Sequence, residues 1–147
     1  MKAALARPSL TGMHGTLTEG EAVATELLAE RKQVTVLFCD VADSLSLAGS
    51  LDPEVWRSIL TDFLEIFREE IERLDGTVDK FTGDGAMAIF GAPVAQEDHA
   101  VRACRVALRL RDRLDRFRVR LEAEHGITFA VRTGINSGEV VVGAVEA

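Results

Sequence analysis

The chain has 147 residues, 47% of them hydrophobic and 28% charged, and a formal net charge of −7. That length suits one domain with a single core, and the acidic balance disfavours general nucleic-acid binding. No apolar run approaches the roughly 20 residues of a membrane span, and Arg7 and Pro8 break the apolar stretch of the first ten residues, so a secretory signal is not expected. The net charge says less about a nucleotide, because local N–H groups, metals and one or two cations hold phosphates. Only Cys39 and Cys104 are present. Both fall inside patterned segments, so a disulfide framework is not expected and a reducing, cytoplasmic setting is.

Residues 1–17, with Pro8, Gly12 and Gly15 and no periodicity, read as a flexible lead-in. Thr18 to Lys32 predicts a short helix on Val23, Leu27 and Leu28, acidic early and closing on Arg31 and Lys32, as the helix dipole favours. Residues 1–30 are thus expected to be lead-in and linker helix, with one domain over 31–147. Val34 to Cys39 is a continuous apolar, β-branched run ending at Asp40, the pattern of a buried strand. Asp52 and Pro53 then start a helix as N-cap and first residue. It continues on Trp56, Ile59, Phe63, Phe67, Ile71 and Leu74 until Gly76 stops it.

Thr77–Phe81 and Ala86–Phe90 read as short strands joined at Thr82-Gly83-Asp84-Gly85, which is hairpin chemistry. A second long helix is predicted from about Gln96 to Glu124 on Val101, Cys104, Leu108, Leu114, Phe117 and Leu121, closed by Gly126. Its arginines, from Arg102 to Arg120, alternate with Asp112, Asp115 and apolar residues, so they predict a solvated helix face and not a nucleic-acid surface. Thr128 to Ile135 is a further strand, and Glu139 to Val142 another after Asn136-Ser137-Gly138. The order β-α-β-β-α-β-β predicts an α+β fold, a ferredoxin-like sandwich of two long helices on one mostly antiparallel sheet.

Two carboxylates stand out. Asp40 ends a buried strand and precedes the small, polar turn Val41-Ala42-Asp43-Ser44. Asp84 sits at a hairpin tip between two glycines. Each alone has an ordinary explanation as a turn former or helix cap. In a ferredoxin-like sheet, however, their strands can be neighbours, and the two carboxylates then converge. Mg²⁺ binds through one or two carboxylates plus substrate phosphates, and paired metals serve in-line phosphoryl displacement.

Three segments resemble the signatures of class III nucleotidyl cyclases. They are Val36-Leu37-Phe38-Cys39-Asp40-Val41, the stretch Asp79 to Gly91 containing Lys80-Phe81-Thr82-Gly83-Asp84-Gly85, and Val131-Arg132-Thr133-Gly134-Ile135-Asn136-Ser137-Gly138-Glu139-Val140. The resemblance spans about Arg31 to Gly143 and implies an adenylyl cyclase. It implies that Asp40, Asp84 and the Val41 carbonyl bind two Mg²⁺ or Mn²⁺ ions per site. It further implies that N–H groups of the turn Val41, Ala42, Asp43, Ser44 and Leu45 hold the triphosphate of ATP, and that Arg132 contacts the phosphates. Lys80 matches the base-reading lysine: adenine offers acceptors on its Watson–Crick edge that suit an ammonium, whereas guanine offers donors that suit a carboxylate. The active form implied is a head-to-tail homodimer, with carboxylates from one chain and the lysine from the other, making cyclic AMP and pyrophosphate. A non-catalytic regulatory or dimerisation module of the same family, and a guanylyl cyclase, are the alternatives.

The sequence departs from the family's pattern at two places in the turn, where Asp43 stands in place of a frequent glycine and Leu45 in place of a frequent threonine. A further carboxylate beside a triphosphate repels it unless turned outward or metal-bound. The family's pattern also continues with a second base-contacting residue, a transition-state Asn and Arg and a phosphate-binding Lys, none of which can be located before Ala147. The 147-residue chain by itself is therefore expected to be an inactive or weak cyclase.

Overall fold

In a computed structural model that describes residues 29–143, the apolar run at Val34 belongs to a longer strand, β1, spanning Ala29–Val41. The lead-in, and the linker helix as far as residue 28, lie outside the described residues. The last residues given to that helix, Ala29 to Lys32, are strand. They pair with Gly143, Val142, Val141 and Val140 of β4 (Val131–Gly143), and these inter-strand bonds override a weak helical pattern.

On its other side β1 pairs with β3 (Gly85–Phe90), which in turn pairs with β2 (Thr77–Thr82). All these pairings are antiparallel, and the order is β2-β3-β1-β4. Leu37, Cys39 and Val41 of β1 join Ala86, Ala88 and Phe90 of β3 under the helices. Val34 and Val36 meet Met87, Ile89 and Val140 on the opposite face. Burial on both faces explains why β1 reads as an unbroken apolar run.

After β1 comes a short helix, α1 (Ser44–Ser50), and then α2 (Pro53–Arg73). The Asp52 carboxylate accepts from the Glu54 N–H at 2.9 Å, the N-cap its sequence predicted. Ile59, Phe63, Phe67 and Ile71 are buried against the sheet. The stop differs from expectation. Asp75 takes the left-handed conformation (φ 57°), while the Gly76 N–H donates to Ile71 O and the Asp75 N–H to Glu72 O. This is a Schellman termination with Asp75 at the left-handed position. Gly76 serves packing: a Cβ there would lie 2.5 Å from the Phe90 ring.

The second long helix, α3, runs His99–His125 and ends at Gly126 with φ 66°. Its buried stripe is Ala103, Val106, Leu110, Leu114, Phe117 and Leu121. The expected inward residues Val101, Cys104 and Leu108 are exposed instead. The first half of α3 is apolar on two faces, and only the stripe from Ala103 continues through Leu114 to Leu121, so that stripe faces the core. Phe129 then packs edge-on against Phe63 and Phe117, with ring centroids 6.0 and 5.2 Å away.

Asn136-Ser137-Gly138 does not divide two strands. These residues pair with Val36, Thr35 and Val34 in the middle of β4. The length of β1 supplies a continuous partner, and the Ser137 and buried Thr35 hydroxyls lie 2.7 Å apart. The observed order is therefore β-α-α-β-β-α-β. Among the described residues, no helix is long and apolar enough to cross a membrane.

Candidate active site

The register of the sheet brings the sequence-predicted residues into two rows. Thr82, Gly85, Asp40 and Arg132 are paired across β2, β3, β1 and β4, and so are Lys80, Met87, Phe38 and Gly134. Strand alternation puts both rows on the face away from the helices. All of these but Gly85 line a cleft of about 410 Å³. Sequence reading did not single out Phe38 or Met87 as part of it. Their signal was present in the parity of β1, where Phe38 shares a face with Asp40.

Asp40 and Asp84 are brought together. Asp40 faces Gly85 in register, and the adjacent Asp84 accepts the Val41 N–H at its carbonyl, 2.9 Å away. Glycine at 85 is required for this approach, because a Cβ there would lie 2.6 Å from Cys39 O and 3.0 Å from Asp40 Cβ. The Ser44 hydroxyl donates to Asp84 Oδ2 at 2.6 Å and so orients that carboxylate. Ser44 was expected to act through its backbone; its side-chain role was not anticipated.

Arg132 reaches across from β4. Its Nε donates to Asp40 Oδ1 at 2.8 Å and its Nη2 to Asp40 Oδ2 at 3.3 Å. The hydrogen bond and charge of Asp40, supported by Asp43 and Asp84, push the guanidinium pKa above its ordinary value against slight desolvation. Three carboxylates thus act on one cation. Burial raises the neighbouring Cys39 thiol to about 11; Thr133 partly offsets that and Asp40 adds to it, so Cys39 is no nucleophile.

The turn after Asp40 is only partly free for an anion. The Val41 N–H is bonded to Asp84 O, and the Ala42 N–H donates to Ala130 O at 2.8 Å. The expectation that these two N–H groups hold phosphate is corrected: the sheet has used them. The chain then enters α1 through Asp43, Ser44 and Leu45, where the first N–H groups of a helix have no intrahelical acceptor. The Leu45 side chain is 89% exposed. Asp43 has φ 52° and its carboxylate makes no capping bond. A glycine is at ease in this conformation and most other residues are not. Asp43→Gly is therefore expected to leave nucleotide affinity unchanged or tighten it, as binding titration would measure. Marked weakening would make Asp43 a working part of the site.

Lys80 is exposed on β2, just past an irregularity at Asp79. Sheet spacing puts it about 12 Å from Asp40, with β3 between them. It shares the cleft but not the carboxylate cluster.

The donor set suits a hard divalent cation. Among the described residues no three His, Cys, Asp or Glu side chains gather to form a complete cage. Two carboxylates beside a backbone turn are what Mg²⁺ uses when substrate phosphates supply the rest. In this structure the cation on Asp40 is the Arg132 guanidinium.

The sequence matches the family described as "Adenylate and Guanylate cyclase catalytic domain" over residues 28–147. It is 37% identical over 119 residues to "Adenylate cyclase 1" of Rhizobium meliloti (strain 1021), covering 81% of this chain and 18% of that protein. It is 30% identical over 122 residues to "Adenylate cyclase" of Anabaena cylindrica, covering 80% of this chain and 23% of the relative. Among solved structures, the adenylyl cyclase CyaB from P. aeruginosa aligns with a TM-score of 0.75 at 30% identity, over 81% of this chain and 62% of that one. The guanylyl cyclase Cya2 aligns with a TM-score of 0.74 at 30% identity, over 81% and 60%. The chain thus spans roughly a fifth of these curated relatives' length and about three fifths of the solved chains. The chain belongs to the adenylate and guanylate cyclase catalytic domain family, the class III nucleotidyl cyclases.

Proposed function

We propose that the protein carrying this domain converts ATP to 3′,5′-cyclic AMP and pyrophosphate, in the cytoplasm and as a homodimer. The observation that carries the reading is the backbone register that sets Asp84 beside Asp40, at the edge of a cleft that Asp40, Arg132 and Lys80 line. In this reading Asp40, Asp84 and the Val41 carbonyl hold Mg²⁺ or Mn²⁺. When bound, such ions activate an attacking hydroxyl and neutralise charge on the leaving oxygens.

The chain's own residues do the remainder. The N–H groups that open α1 and the Arg132 guanidinium receive phosphate oxygens. Ser44 fixes the orientation of the Asp84 carboxylate through its hydroxyl. The ribose 3′-hydroxyl attacks the α-phosphorus and gives up its proton to solvent water, while the bond from that phosphorus to the bridging oxygen breaks and pyrophosphate leaves. Lys80 donates to the acceptors of the adenine edge. In a two-fold dimer that pairs these sheet faces, each Lys80 faces the carboxylates of the other copy, giving two equivalent sites. The open cleft and the exposed Phe38 ring beside it support a face that is covered in the working assembly.

The test is a competition between ATP and GTP in one assay. The unaltered protein is expected to favour ATP. Lys80→Glu should lower the ratio of ATP to GTP turnover by about 10- to 100-fold, the worth of one hydrogen bond to a charged group. Equal losses with both nucleotides would remove base reading from Lys80. A native preference for GTP would make the protein a guanylyl cyclase, and absence of turnover with either would favour the regulatory module.

A further inference from the structure

The bidentate Asp40–Arg132 pair is the one contact in the cleft that the proposed chemistry cannot leave in place. Both Asp40 oxygens are engaged by the guanidinium, at 2.8 and 3.3 Å. The same oxygens are those a divalent cation would need. A guanidinium and a hard dication cannot share one carboxylate's inner positions without strong like-charge repulsion. The pair is also built to open: its side chains are 71% exposed at Arg132 and 46% at Asp40. Solvent screens an exposed pair of this kind, so it is weak and readily opened.

Beyond the more distant charges of Asp43 and Asp84, no other side chain among the described residues pairs with Arg132. Every hydrogen bond its side chain makes among the described residues goes to Asp40. Its strand neighbour Thr133 turns to the other face, where it meets the Cys39 sulfur at 3.4 Å. Asp84 has a separate neutral partner in Ser44, which can stay bonded to one oxygen while the other binds a cation. The two carboxylates are therefore held differently, one by a charge that must leave and one by a hydroxyl that can remain.

We propose that Arg132 is an internal placeholder cation: it occupies Asp40 until a divalent ion displaces it, and the displacement frees its guanidinium for the incoming phosphate. The inference rests on the reading of Asp40 and Asp84 as metal ligands and deepens it. It makes metal loading and triphosphate binding cooperative through one side chain, because each removes a competitor of the other.

The experiment titrates the nucleotide-free chain with Mn²⁺ alone, following paramagnetic broadening of backbone amides near Asp40 and Asp84. It is run on the native chain, Arg132→Ala, Arg132→Lys and Asp40→Asn, and circular dichroism checks each fold. Arg132→Ala should bind Mn²⁺ about fivefold more tightly, the upper value of an exposed pair. Arg132→Lys, which keeps the charge and loses the fork, should fall between. With diamagnetic Mg²⁺, the Arg132 Nε–H resonance of the native chain should lose its hydrogen-bonded shift as metal is added. Unchanged or weaker Mn²⁺ binding in Arg132→Ala, with the broadening still centred on Asp40 and Asp84, would overturn the placeholder and leave the metal reading standing. Absence of broadening there in every variant would overturn the metal reading itself.

Discussion

Asparagine at Asp40 or Asp84 is expected to lower cyclic nucleotide formation by about a thousandfold or more, with little change in folding. The size follows from the task. Cation-assisted phosphoryl chemistry draws several kcal/mol from charge stabilisation, and each 1.4 kcal/mol is about a tenfold change in rate. Asparagine keeps the shape of aspartate but loses the charge that holds a dication. The fold should tolerate both changes. Asp40 is half-exposed and its partner Arg132 more so, and Asp84 occupies a two-residue turn whose backbone bond to the Val41 N–H survives the substitution. Turnover by the protein carrying this domain, measured beside its melting temperature, separates the two effects. The double variant should be hardly worse than either single one, because residues acting as a unit do not add. Retention of activity within tenfold in either single variant would remove that residue from the chemistry.

Much of this site could be read from the sequence because its carboxylates interrupt patterns that the fold otherwise enforces. Asp40 is a charge at the end of a strand buried on both faces, and Asp84 is flanked by glycines, one of which the sheet demands. What escaped depended on who meets whom across the sheet. The use of the Val41 and Ala42 N–H groups by Asp84 and Ala130 follows from strand positions that no local pattern encodes. The pairing of Arg132 with Asp40 is likewise a matter of register. The exposed Val101, Cys104 and Leu108 misled because α3 has two apolar faces over its first turns, and the choice between them is made by the longer stripe. Asn136-Ser137-Gly138 has the composition of a turn, yet the length of β1 holds it in a strand.

Glu70 carries the largest expected effect on stability. Its side chain is 1% exposed in α2, where Arg109 Nε approaches at 2.6 Å, Arg113 Nη1 at 3.0 Å and Arg73 Nε at 3.7 Å. Burial pushes its carboxyl pKa up. Hydrogen bonds from Arg109 and Arg113, with the charges of Arg109 and Arg73, outweigh burial and hold it below the ordinary 4.5. Glu70→Ala removes the carboxylate that Arg109, Arg113 and Arg73 share, leaving Arg113 its bond to Glu69 at 2.7 Å and the other two, which are half-exposed, to solvent. It should cost about 2–3 kcal/mol, because solvent screens the partly exposed arginines left behind, still a large share of the roughly 5–15 kcal/mol available to a domain. Chemical denaturation of the two proteins at neutral pH measures this directly.

The acid limb gives an independent check on the same residue. A carboxyl whose pKa is lower folded than unfolded contributes stability that is complete above its unfolded value and lost as pH falls through its folded value. The native protein should therefore lose stability progressively below about pH 4.5, and Glu70→Gln, which cannot titrate, should lose less over the same interval. A Glu70→Ala protein as stable as the native one would make the cluster incidental. Because Glu70 lies between the helices and Asp40 on the opposite face of the sheet, turnover per folded molecule should survive the substitution, separating the arginines that hold the helices from the one paired with Asp40 in the cleft.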